Sequence, residues 1–312
     1  MFSATPHRLA LVLSIASLTG CQSANVPTDP GLGQRPYVPL PDSKPESIGF
    51  FMAQYAKNLG QWNELKLTAS KERELRQLHA VERSLQKRTN ERFEELLDVL
   101  VQGSPINRQT AALGLGFSAN DRALGPLLAA LSDRDAIVVQ NALTGLGLLG
   151  DPETPTERIA YILVNHPDPW TRNNAAFCLQ CIVTGRSGEA GMPNDDEIAE
   201  NCRDALIDEE PGVRVQCASI LGILRDKQAV RPLGDLLYDE VNLVSAAAAT
   251  SLSYIGRFEL ESKGPAAREL VQALEKLEPD RQEKIVRVLA LMSERNYGDR
   301  TEDWREWANK LP

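Results

Sequence analysis

Aromatic residues make up only 5% of this 312-residue chain, and histidine occurs three times. Scarce aromatics disfavour sheets, while the plentiful Ala and Leu suit closely packed helices. No segment alternates apolar and polar residues long enough to argue a strand. His79 and His166, the only histidines beyond the N-terminal segment, have no Cys, Asp or Glu at metal-ligand or triad spacing. Both are expected at the surface or in a turn. There is no Gly-rich phosphate loop after a strand and no Gly-x-Ser-x-Gly. Paired carboxylates such as Asp195-Asp196 are common on solvated loops. No catalytic, metal-binding or cofactor-binding residue is therefore expected, and the chain is not expected to be an enzyme. Lys and Arg are nowhere clustered among aromatics, and the formal net charge is −9, so nucleic acid is not an expected partner.

Long apolar runs are also missing. The longest, Leu9 to Leu18, falls short of the about 20 residues that a spanning helix needs. It follows His7 and Arg8 and ends in Leu18-Thr19-Gly20-Cys21. That order of charge, apolar run and small residues reads as an export signal. The closing tetrapeptide resembles the lipobox of bacterial lipoproteins. The resemblance implies cleavage before Cys21 and a diacylglycerol on its thiol. It also implies a cell-envelope destination: with Gln22 rather than Asp after the cysteine, the periplasmic face of the outer membrane in a Gram-negative host. The next stretch carries Pro27, Pro30, Pro36, Pro39, Pro41 and Pro45 with Gly31 and Gly33, which exclude regular structure. Extended at about 3.1 Å per residue, such a tether reaches up to roughly 75 Å.

What the chain does have is internal repetition. An apolar or turn residue, Arg, two residues, Ala, three residues and Leu-Gly recur as Asn107-Arg108…Ala111…Leu115-Gly116 and as Val213-Arg214…Cys217…Leu221-Gly222. Val138-Val139…Ala142…Leu146-Gly147 and Thr171-Arg172…Ala175…Leu179 are further copies, with weaker ones at Ser245…Ala248…Leu252 and Lys284…Leu291. Their spacing is that of one helical hairpin. Val213, Cys217, Ile220, Leu221 and Leu224 form one helical stripe, and Val230, Leu233, Leu236 and Leu237 form the partner helix. Pro105, Pro169 and Pro211 fit the first turn of a helix, where no N–H is needed. Asp133, Asp168 and Asp208 are expected to cap helices. The glycines at 116, 147 and 222 are tolerable inside helices if two helices approach closely there.

These features resemble HEAT-like repeats of the kind found in phycobilin lyases and bacterial scaffold proteins. The resemblance implies an all-α superhelical solenoid in which a turn Asp and a helix Arg bridge neighbouring repeats, making Arg108, Arg172 and Arg214 structural. Val139 and Ser245 depart from the Arg position. The expected organisation is a signal peptide at 1–20, a tether at 21–45, capping helices at 46–102, repeats at 103–296 and a Trp-containing cap at 297–312. In the N-terminal cap, Ser43 to Glu46 matches a capping box ahead of a stripe of Ile48, Phe51, Tyr55 and Leu59. A second, charge-laced helix carries Leu75, Leu78 and Leu85. Trp304 and Trp307 are expected to cover the last hairpin.

Cys178, Cys181, Cys202 and Cys217 form an even set. Core filler, a disulfide and a four-cysteine zinc site are the open readings. If a disulfide forms, Cys178–Cys202 is the expected pair, because both stand at the same height of the third hairpin. Gly185 to Asp196 and Arg257 to Gly264 read as insertions between the two helices of a repeat. In stacked repeats they share one edge, which is often the binding side. The first adjoins an acidic tract, Glu189 to Glu210, and would suit a basic partner. Two functions follow: an envelope scaffold that holds another protein, or, through the family resemblance, a bilin-lyase-like or other small-ligand-handling protein.

Overall fold

The computed structural model describes residues 47–186 and 195–312. The chain divides into two compact units, Met1–Val81 and Glu82–Pro312. In the first, α1 (Ile48–Thr68) begins at Ser47, whose hydroxyl accepts from the Phe50 N–H. Ser47 thus caps the helix, whereas the expected capping box at Ser43–Glu46 lies outside the described residues. Phe51, Met52, Tyr55, Leu59 and Trp62 form its buried face, with Phe51 stacked on Tyr55 at 5.3 Å. Ile48, expected on that stripe, is exposed. α2 (Glu72–Glu91) crosses from the first unit into the second.

The second unit is a run of helices, and no strand occurs among the described residues. One layer, the A helices, comprises α4 (Pro105–Leu115), α6 (Ala136–Leu149), α8 (Pro169–Gly185), α10 (Pro211–Ile223), α12 (Asn242–Phe258) and α14 (Pro279–Ser293). The B helices are α3 (Phe93–Gln102), α5 (Leu124–Ala130), α7 (Glu157–Asn165), α9 (Asp195–Asp204), α11 (Val230–Leu236) and α13 (Leu260–Lys276). Each A helix packs on the next A helix, giving an all-α solenoid. Up to α11, each B helix lies chiefly against the A helix that follows it. The cause is connection length. B helices reach the next A helix through turns as short as Gly103-Ser104, which hold antiparallel neighbours together, while A-to-B links are generally longer.

Proline starts four A helices, at 105, 169, 211 and 279. The caps differ partly from expectation. Asp168 does cap α8, but α6 and α10 are capped by Asp135 and Glu210. Asp133 and Asp208 instead accept the N–H two residues on, from Asp135 and Glu210, in Asx-turns that leave their carboxylates available. At the C-terminal end, α15 (Thr301–Asn309) packs on α13. Trp304 is fully buried there, donates its indole N–H to Gly298 O at 2.9 Å, and meets Trp307 edge-on.

The repeat glycines permit close crossing of A helices. A Cβ on Gly116 would stand 2.6 Å from Gly145 Cα, and one on Gly145 would stand 2.5 Å from Ala112 O. Both obstructions are backbone, so no side chain can swing away. Gly116→Ala is expected to cost about 1–3 kcal/mol through overpacking, read as a lower denaturation midpoint. Gly125→Ala, where an added Cβ meets nothing within 4 Å, is the control and should be neutral or mildly stabilising.

Candidate interaction surface

Two edges of the repeat stack present themselves, and one is defined by a ladder of arginines. Arg108 Nε and Nη2 donate to both carboxylate oxygens of Asp133, at 2.8 and 2.9 Å. Arg172 holds Asp208 in the same forked way at 2.7 and 2.9 Å, and Arg214 holds Asp239 at 2.8 and 3.0 Å. The remaining guanidinium nitrogen turns back to the preceding turn: Arg108 to Gly103 O, Arg172 to His166 O and Pro167 O, Arg214 to Asp208 O and Glu209 O. Each arginine therefore satisfies a carbonyl orphaned at a B-helix end and pins the next turn through a planar, two-point contact. The Asp133 carboxyl is held below the usual carboxylate range, chiefly by Arg108 and against an opposing effect of burial.

The two departures are compensated. In the second repeat Val139 replaces Arg, and His166 occupies the place of the turn Asp, its Nδ1 accepting the Asp168 N–H. The orphaned Leu131 O is reached by Arg158 of α7 at 3.1 Å. In the fifth repeat, where Ser245 stands, Arg281 of α14 donates to Leu237 O and Asp239 O. A second rail, which sequence reasoning missed, runs alongside. Gln109 donates to the Asp135 carboxylate and Gln140 to that of Asp168, while Asn141 and Asn174 donate to Gln109 O and Gln140 O one repeat earlier. The available signal was an amide beside the Arg position: Gln109, Gln140 and Asn173.

The same edge carries an exposed apolar row. Ile106, Ile137 and Trp170 occupy the second position of successive A helices and are 66%, 46% and 49% exposed. The row stops at Gly212, where a Cβ would meet the Asn173 side chain.

The opposite edge holds the expected insertions. Arg186, buried at the end of α8, donates to Pro152 O at 2.6 Å and Thr154 O at 3.3 Å, and pairs with Asp195 at 3.3 Å. Arg186 thus ties the end of α8 and the start of α9 to the preceding repeat. Gly185, Asp195 and Asp196 belong to helices; 187–194 lies outside the described residues. Arg257–Gly264 is corrected: it is no loop, since α12 runs to Phe258 and α13 starts at Leu260, with Pro265 inside it. Burial of Ser262, Gly264, Ala266 and Ala267 outweighs the backbone bond that the proline removes.

His79 is exposed on α2, His166 lies in the turn before α8, and Cys21 is outside the described residues. Cys178 and Cys202 are both buried free thiols, and Cys202 is the neighbour of Cys217 while Cys178 has Cys181 beside it. The expected pairing assumed that α9 lies on α8; it lies on α7 and α10. Among the described residues no group of His, Cys, Asp and Glu could hold a metal, and no helix is long and apolar enough to cross a membrane.

A stack of helical pairs bridged turn to turn by Arg–Asp forks defines an α-solenoid repeat protein. The family profile described as HEAT repeats matches residues 93–157 and 156–253. The chain belongs to that family. The match begins at α3, ahead of the expected start of the repeats at residue 103. No curated protein matches. Among solved structures, an engineered protein is similar at 19% identity, covering 64% of this chain and 96% of its own, with a TM-score of 0.46. Human deoxyhypusine hydroxylase in complex with glycerol is similar at 18% identity, over 80% of this chain and 92% of that one, with a TM-score of 0.36. The CpcE–CpcF complex of phycocyanin lyase from Nostoc sp. is similar at 19% identity, over 85% and 99%, with a TM-score of 0.39. At that level of likeness no ligand or reaction carries over.

The lowered pKa of Asp133 gives the ladder a pH signature. The unfolded carboxyl takes its proton near pH 4 and the folded one only below that, so the pair stabilises the fold above pH ~4 and loses its contribution as pH falls through the folded value. Asp133→Asn should lower the melting temperature at neutral pH. It should also flatten the fall in melting temperature between about pH 4 and pH 2, measured by thermal denaturation across that window.

Proposed function

We propose that this protein is a non-enzymatic scaffold of the cell envelope, anchored by a lipid on Cys21 and holding another protein along an edge of its repeat stack. The observation that carries the binding side is the Arg186 clamp. A repeat array contacts only its own neighbours, so residues added between an A and a B helix are not required by the core. Here Arg186, the residue before the added segment, is fixed to Pro152 O and Thr154 O. The segment's sequence is polar and Gly-rich with an acidic residue, Glu189, and leads into Asp195, Asp196 and Glu197 at the start of α9. A basic protein surface is the complementary partner. The lipobox-like Leu18-Thr19-Gly20-Cys21 and the following proline-rich stretch support the anchor.

Two measurements test the two halves. Replacing 187–194 by a short Gly-Ser turn, with Arg186 and Asp195 retained, should leave the melting temperature nearly unchanged. It should reduce capture of the partner from native-host extracts several-fold. If the same proteins return at the same yield, while Ile137→Ser with Trp170→Ser abolishes capture, the partner sits on the ladder edge and the clamp reading is wrong. For the anchor, mass spectrometry of the host membrane fraction should find a mature N-terminus at Cys21 carrying acyl chains. An unacylated start at any other residue removes the lipoprotein reading.

A further inference from the structure

The remaining buried chemistry outside the ladder is the cysteine set. Cys202 on α9 and Cys217 on α10 are both fully buried. The two helices are antiparallel neighbours joined by the turn at Asp208–Glu210. From Cys202 to Asp208 and from Pro211 to Cys217 the chain covers the same number of residues, so both side chains stand at one height above the turn. Both are fully buried between packed helices, and Cys202 is the neighbour that chiefly raises the Cys217 thiol, so the two free thiols face one another. No such neighbour relation joins Cys178 to Cys202, since α9 packs on α7 and α10.

We propose that Cys202 and Cys217 are the site of a structural disulfide that links the third repeat to the fourth. The reaction is thiol–disulfide exchange with a donor disulfide, such as that of a protein oxidase or glutathione disulfide. One cysteine thiolate attacks the donor's S–S bond, forming a mixed disulfide and releasing one donor thiolate. The other cysteine thiolate then displaces the remaining donor sulfur. The pair loses two protons and two electrons, and the donor disulfide leaves as two thiols.

The folded environment sets the timing. The neighbouring Cys202, together with burial, pushes the Cys217 thiol well above the ordinary thiol range. Both side chains are also 0% exposed, so an oxidant reaches them only before α9 and α10 have docked. Once formed, the bond is shielded from reductant by the same burial.

The compartment for this chemistry rests on the export reading above, and the experiment separates the two. The chain carrying Cys21→Ser is unfolded, reduced, refolded in a glutathione redox buffer, alkylated and cut with trypsin without reduction. Cleavage places Cys178 and Cys181 together on Asn173–Arg186, Cys202 on Ser187–Arg203 and Cys217 on Val215–Arg225. The expected result is a cross-link between the last two peptides, with Asn173–Arg186 doubly alkylated. The oxidised protein should also melt several degrees higher than the reduced one, and Cys217→Ala should remove that difference. Unlinked peptides, or a cross-link involving Asn173–Arg186, overturn the proposal. If the bond forms in the buffer but both thiols are alkylated in protein trapped from host cells, the export reading fails and the pair stands.

Discussion

Every B helix of this solenoid is followed in its turn by a carbonyl that has no helical partner. The architecture depends on supplying that carbonyl with a donor. At Gly103, His166 and Asp208 the chain uses an arginine from the A helix that immediately follows. At Leu131 and Leu237 it uses Arg158 and Arg281 from farther away, and at Leu277 the Gln282 amide serves. Because a guanidinium has donors to spare, the three local arginines also fork onto Asp133, Asp208 and Asp239. One group closes a helix and fixes the next turn against it. The glycine crossings at Gly116 and Gly145 then set how near the A helices approach.

This dependence explains why the fold was legible in the sequence. The repeats announce themselves through residues whose types are dictated by backbone needs: arginine for the orphaned carbonyl, proline where no N–H is wanted, glycine where helices touch. Arg108, Arg172 and Arg214 could be read as structural through the resemblance to HEAT-like repeats. Their replacements could not. Val139 and His166 stand where the other repeats carry Arg and Asp, and nothing local to them points to Arg158; only the packing of α7 puts that side chain at Leu131. The amide rail was visible as Gln109, Gln140 and Asn173 beside the arginine position, but amides on helices are too common to stand out unaided.

The candidate surfaces were less legible, for two physical reasons. Arg257–Gly264 reads as an insertion between helices, but helix α13 buries enough small residues to run through most of it. The hairpin geometry was drawn with each B helix against its own A helix, and the short turns place it against the next one. That shift by one helix moves the neighbour of Cys202 from Cys178 to Cys217. It also means that the cohesive unit is a B helix with the A helix following it, so a boundary between such units falls within each repeat motif.

The origin of the donors gives the chain a direction in time. Arg108 caps a carbonyl five residues behind it, so that turn closes as soon as its own helix is made. Leu131 waits for a residue 27 positions downstream, and Leu237 for one 44 positions downstream. During synthesis from the N-terminus these two joints stay unsealed until α7 and α14 have emerged. The array is therefore assembled as locally locked segments separated by joints that only later segments can close, and a polypeptide halted before Arg281 would carry an open seam beside α11.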